Sequence, residues 1–107
     1  MIFIVVKFPV KPEHADGWLD RVADFTTAVR AEEGNVFFDW ARSVDDPNEY
    51  WLTEGFVDDA AGKAHVESQH FADALETMSD AVSATPKIVS TSVDQPDWGE
   101  MGEVAPR

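Results

Sequence analysis

Three side chains near the middle of this sequence could move protons. His65 and His70 stand five residues apart in HVESQHF, and Glu54 lies inside an aromatic run, EYWLTEGF. Imidazole ordinarily titrates near neutral pH, so a histidine that reaches an apolar pocket can accept a phenolic proton. On one unbroken helix a spacing of five is about 500°, so the two rings would not share a face as a pair spaced by four does. A break in the helix between them would bring them together. A structural reading stands beside this one. His70 precedes Phe71, a residue of a buried stripe, and could cap or hydrogen-bond at the stripe's edge. Glu54 also has two readings. Facing inward, it would have a raised pKa and could orient or deprotonate a substrate hydroxyl. Facing the other side of its sheet, it would pair with Arg42 or Lys7, and that pairing is the simpler account. A two-histidine metal site completed by Glu67 is a further option, but the usual ligand spacing is missing and no metal is expected. His14 lies near a helix start and is expected to be exposed.

Around these groups the chain is rich in rings. Phe8, Phe38, Trp40, Trp51, Phe56, Phe71 and Met78 are expected mostly in the core, and a subset could line a flat apolar cavity suited to an aromatic ligand. Oxygen chemistry without a cofactor asks for little more than a dry aromatic pocket and a group that ionises the substrate, because an electron-rich phenolate itself reacts with oxygen. The sequence has no glycine-rich phosphate loop, no dinucleotide fingerprint and no nucleophile motif. With no cysteine there is no thiol nucleophile, disulfide framework or zinc finger. The net charge of −13 argues against nucleic acid and anionic membranes as partners. No apolar run approaches the roughly 20 residues needed to span a bilayer. The opening IFIVV is too short for a signal peptide and lacks its flanks, so it reads as a strand and the protein is expected in the cytoplasm.

The elements that position these residues follow from periodicity. Ile2 to Phe8 alternates with apolar residues on both faces, so this strand is covered on both sides. Pro12 starts a helix expected to run to about Glu33, with the stripe Trp18, Val22, Phe25 and Val29, widened by Leu19 and Thr26. Gly34 reads as its left-handed stop. A second strand, Asn35 to Ser43, and a third, Glu49 to Val57, flank the turn residues DDPN and form an antiparallel hairpin. A short helical piece from Asp59 to Val66 precedes a longer helix to about Ser83, with the stripe Phe71, Ala74, Leu75, Met78, Ala81 and Val82. Lys87 to Val93 makes the fourth strand. The order β-α-β-β-α-β is the ferredoxin-like arrangement, an α+β fold with a four-stranded antiparallel sheet and two helices on one face. Residues 1–94 are then the folded domain. Residues 95–107 form an extended tail whose Trp98 and Met101 suggest docking on a partner subunit. The other sheet face, with Phe3, Val5 and Phe37, would be a large exposed apolar patch, which a homodimer would bury.

With the element order in place, the chain resembles the antibiotic biosynthesis monooxygenase (ABM) family. The resemblance rests on EEGN at Glu32–Asn35, Phe38, RSVDDPNEY at Arg42–Tyr50, then Leu52, Glu54 and Phe56, and HVESQHF at His65–Phe71, and it covers about residues 2 to 93. It implies a dimeric α/β barrel in which two sheets close on each other, with a pocket between each sheet and that subunit's own helices. Some family members oxidise quinols or polyphenols with molecular oxygen and no bound metal or flavin. Others open haem, and others isomerise small phosphorylated molecules, so membership alone does not fix a reaction. The haem-degrading branch has an asparagine on strand one, a tryptophan early in the second helical region and a histidine one helix segment later. The matching places here hold Val6, His65 and Leu75, and an apolar residue at the axial-ligand place argues against haem. Many members also end strand three with a tryptophan, where this chain has Phe56. Among these activities the first expectation is a cofactor-independent, quinol-type monooxygenase acting on a small aromatic molecule and molecular oxygen as a homodimer. The alternatives are a non-catalytic ligand-binding or stress-related dimer, and an isomerase-like member.

Overall fold

In the computed structural model, which describes residues 1–107, alternation along the first strand decides the layers. Within β1 (Ile2–Pro9), Val6 and Phe8 are buried against helices while Lys7 is exposed on the opposite face. β2 (Asn35–Arg42), β3 (Glu49–Phe56) and β4 (Lys87–Ser92) complete one antiparallel sheet in the order β2-β3-β1-β4. In register, Ile4 of β1 opposes Glu54 of β3, and Glu54 in turn opposes Phe38 of β2. The even-numbered residues of β3, from Tyr50 to Phe56, are all buried on the helix side, and Glu54 belongs to that row.

The chain between β1 and β2 forms α1 (Pro12–Ala15), α2 (Trp18–Arg21) and α3 (Ala23–Arg30) rather than the single expected helix. The breaks fall at Gly17 (φ −94°, ψ 3°) and Val22 (φ −100°, ψ 9°). Glycine lowers helix propensity at the first break, and the Tyr50 hydroxyl donates to the Ala15 carbonyl at 2.8 Å, occupying an acceptor a continuous helix would use. The expected stripe survives the breaks: Trp18, Val22, Phe25 and Val29 are all buried, each such burial stabilising by about 1.5–3 kcal/mol. Leu19 does not widen it, being about half exposed. His14 is half-buried rather than exposed, with Arg21 Nη2 3.3 Å from its Nδ1.

Gly34 is not left-handed, since no residue of the chain has positive φ. Its glycine is required by close approach. A Cβ there would collide with the Cβ of Ala61, so α4 (Asp59–Val66) packs directly on the backbone that leads into β2. Asn35 secures a bulge at that entry by donating to the carbonyls of Phe37 and Gly55. The β2–β3 turn is held by Ser43 Oγ, which accepts from the Asp45 and Asp46 amides. After α4, α5 (Gln69–Ser79) ends four residues earlier than expected, and Val82 instead bridges to Val10. On the outer sheet face, Phe37 packs with Phe3 and with Trp98 of this chain's own tail, whose ring centroid lies 5.1 Å away, while Met101 and Val104 are exposed. No helix is long and apolar enough to cross a membrane.

Candidate functional site

A break between α4 and α5 brings the two histidines together. Ser68 makes the break, donating from Oγ to the His65 carbonyl at 2.6 Å and accepting from the Phe71 amide as the N-cap of α5. The ring centroids of His65 and His70 then lie 6.4 Å apart. Both rings converge on a side chain not counted among the candidates, Glu32, in the turn after α3. Its Oε2 lies 2.9 Å from His65 Nδ1 and 2.6 Å from His70 Nε2. The other nitrogen of His65, Nε2, lies 3.6 Å from Glu54 Oε1. The four groups therefore form a chain from Glu54 through His65 and Glu32 to His70. Its inner end is buried, with Glu54 5% and His65 4% exposed, whereas the His70 side chain is 30% exposed. Packing fixes His65: its ring lies 4.7 Å from Phe56 and meets Phe71 edge-on at 5.2 Å.

Burial pushes the Glu54 carboxyl up to about 7, and the charge of Glu32 adds to the effect. No cation offsets it. Arg42 donates instead to Asp16 at 2.9 Å, and Lys7 lies 4.6 Å over the Trp51 ring on the far face. The pairing expected for Glu54 with Arg42 or Lys7 is thus incorrect. β3 parity turns Glu54 to the helix side, away from Lys7, while Arg42 shares that side but lies further along the hairpin, opposite Tyr50.

Glu54 and His65 are the two ionisable groups lining a cavity of about 270 Å³ between the sheet and α5. Phe8, Phe71, Met78 and Leu75 contribute to its apolar walls, and Val82, Pro86 and Ile88 lie towards the end where β4 begins. Leu75 is about half exposed, which places it at the rim rather than in the core.

The model of the family described as antibiotic biosynthesis monooxygenase matches residues 1–77. The chain belongs to the ABM family. YcnE of Bacillus subtilis (strain 168), a monooxygenase candidate by its name, is 30% identical over 95 residues, covering 89% of this chain and all of that protein. Solved ABM candidates from Nitrosomonas europaea (TM-score 0.81, 24% identity, 89% of this chain and 100% of that one) and Deinococcus radiodurans (0.83, 18%, 95% and 100%) share the fold.

In this ABM chain the predicted residues sort by position. Glu54, His65, Phe8, Phe71 and Met78 line the cavity, and His70 stands behind His65 across Glu32. Phe38 and Phe56 are fully buried behind the site and support it without lining the cavity. Trp40 is half-buried at the α3 side, its Nε1 donating to Thr26 Oγ1 at 2.9 Å. Trp51 is on the wrong face of the sheet for the cavity, with its Nε1 donating to Glu49, because odd positions of β3 point away from the helices. Glu67, the carboxylate considered for a metal, is exposed and faces Lys63. Glu32, His65 and His70 do bring their ligand atoms within 4.8 Å of one another. Yet Glu32 Oε2 sits at hydrogen-bond distance from both imidazoles, whereas two ligands on one tetrahedral zinc, each about 2.0–2.1 Å from it, stand about 3.3 Å apart. As it stands the cluster is a hydrogen-bond network centred on Glu32 Oε2.

Proposed function

We propose that this ABM protein is a cofactor-independent monooxygenase of small quinols or polyphenols, working as a homodimer with the outer sheet faces of two copies packed together. The observation that carries the reading is the cavity between sheet and α5, apolar on nearly every side, with one buried acid-base pair, Glu54 and His65, on its wall. A carboxyl raised to about 7 is well matched to exchanging a proton with a phenolic hydroxyl at neutral pH. No lysine or arginine lines the cavity, which disfavours the phosphorylated substrates of an isomerase.

In this reaction the Glu54 carboxylate takes the proton of a quinol hydroxyl. The electron-rich anion gives one electron to dioxygen, and the resulting radicals combine to form a carbon–oxygen bond. Glu54 returns its proton to the terminal peroxide oxygen. The O–O bond then breaks as the carbon loses its hydrogen, giving water and a hydroxyquinone. One quinol and one dioxygen are consumed, the ring gains one oxygen atom, and no external reductant is needed. Aromatic walls exclude the water that would compete for these protons.

Incubation with a menadiol-type naphthoquinol in air and under nitrogen tests the proposal. Hydroxyquinone should form faster than in protein-free buffer, only with oxygen, and the excess should vanish in Glu54→Gln and His65→Ala. A rate equal to protein-free autoxidation in the parent protein would sink the proposal. Saturable binding of the corresponding quinone with no such turnover would instead identify a ligand-binding protein.

A further inference from the structure

Two imidazoles share one oxygen of Glu32, and this constrains where the protons are. A carboxylate oxygen only accepts, so both nitrogens that face Glu32 Oε2, at 2.9 and 2.6 Å, carry hydrogen. A neutral His65 with hydrogen on Nδ1 has a bare lone pair on Nε2, the atom 3.6 Å from Glu54 Oε1. The opposite tautomer would place a hydrogen between His65 and Glu54 and set a lone pair against the Glu32 carboxylate. Buried rings on either side leave His65 no other polar partner to settle the choice.

We propose that Glu32 is a positioning residue that fixes the tautomer of His65, so that its Nε2 accepts the proton Glu54 has taken and later gives it back. His70 acts one step further out, its short hydrogen bond keeping the Glu32 oxygen aimed at His65. The role rests on the proposed quinol chemistry but extends it. That chemistry removes a proton from the hydroxyl before dioxygen reacts and needs a proton at the peroxide afterwards. Glu54 alone would hold it beside the reacting ring. Passing it to His65 Nε2 leaves Glu54 an anion facing the substrate and puts the positive charge between two carboxylates. The reverse transfer restores the starting state, so no proton is gained or lost over a cycle. The arrangement has the logic of a carboxylate–imidazole pair in which the carboxylate sets the tautomer and orientation of the base.

The test has two arms. In the first, no substrate is present, and ¹⁵N NMR of histidine-labelled protein reads which ring nitrogen of His65 is protonated. The parent protein should show Nδ1 protonated, Glu32→Gln should keep that form because it retains an acceptor oxygen, and Glu32→Ala should shift His65 towards Nε2 protonation. In the second, quinol turnover should fall on the order of 10²-fold in kcat for Glu32→Ala, with KM within about two-fold of the parent and a smaller loss for Glu32→Gln. A parent protein with His65 protonated on Nε2 and bare on Nδ1 overturns the proposal, as does a Glu32→Ala protein with an unchanged tautomer. If Glu32→Ala does not fold, the parent spectrum and Glu32→Gln still decide. The first arm holds or fails without substrate, so absence of turnover in the parent refutes the quinol reading and leaves the tautomer assignment to stand on its own.

Discussion

Replacing Glu54 by glutamine should make the protein more stable at alkaline pH and leave acid stability nearly unchanged. The folded carboxyl is raised from 4.5 to about 7, chiefly by burial. The folded chain therefore holds this proton more tightly than the unfolded chain. Stability from this group is complete below about pH 4.5 and is lost progressively as pH rises towards 7. The whole loss is the interval of 7 minus 4.5 multiplied by about 1.36 kcal/mol per unit, or roughly 3.4 kcal/mol. Glutamine is nearly isosteric and carries no charge, so it escapes the loss. The titratable groups facing Glu54 are His65 on α4 and, beyond it, Glu32, with His70 further out on α5. All three remain in the variant, so comparing variant with parent at each pH largely cancels their own titration, as it cancels the fixed effect of burying an amide. Urea unfolding at one protein concentration, at about pH 4.5 and about pH 8.5, should show the advantage of Glu54→Gln growing by about 3 kcal/mol between the two. A difference constant to within about 0.5 kcal/mol would refute both the raised carboxyl and the argument built on it. A gain in stability joined to a loss of turnover would mark Glu54 as a group kept for chemistry against the interest of the fold.

Three further outcomes follow from the packing. Gly34→Ala drives a Cβ into Ala61 and should cost about 1–3 kcal/mol, seen as a Tm lower by roughly 5–15 °C, and adding Ala61→Gly should recover much of it. No recovery would refute close approach as the reason for the glycine. Leu75→Trp adds bulk at the cavity rim on a half-exposed residue, so binding of a naphthoquinone probe, followed by fluorescence quenching, should weaken about ten-fold with Tm within about 2 °C of the parent. Unchanged affinity would place the ligand elsewhere. Sedimentation at micromolar concentration should give a species of twice 11.9 kDa, because Val89, Trp98 and Trp51 would otherwise leave apolar surface exposed on the outer face, and a stable monomer would refute the dimer.

The fold was largely legible because its signals are local. Alternation in IFIVVKF and EYWLTEGF, the DDPN turn, and the stripe from Phe71 to Met78 all encode a preference that tertiary packing did not reverse. What was hidden depends on distant partners. The break after Ala15 involves a hydroxyl 35 residues away, on Tyr50. The requirement for glycine at 34 comes from Ala61 and not from any backbone angle.

The site divides in the same way. Parity along β3 already placed Glu54 in the row of Tyr50, Leu52 and Phe56, and that signal was outweighed by the expectation that a carboxylate seeks a cation. The expectation failed because the nearby cations had local partners of their own, Asp16 for Arg42 and the Trp51 ring for Lys7. Glu32 carried no such signal. It lies 33 residues from His65 and 38 from His70 in sequence, and a carboxylate at the end of a helix reads as solvated. Its role exists only once α3, α4 and α5 converge. A buried acid left without a cation, a histidine between two carboxylates, and a second histidine sharing one of them are each a poor choice for stability alone. Together they place an acid 3.6 Å from a hydrogen-bonded imidazole–carboxylate–imidazole relay beside an apolar cavity, and that shared consequence, more than any one residue, is the argument for chemistry at this place.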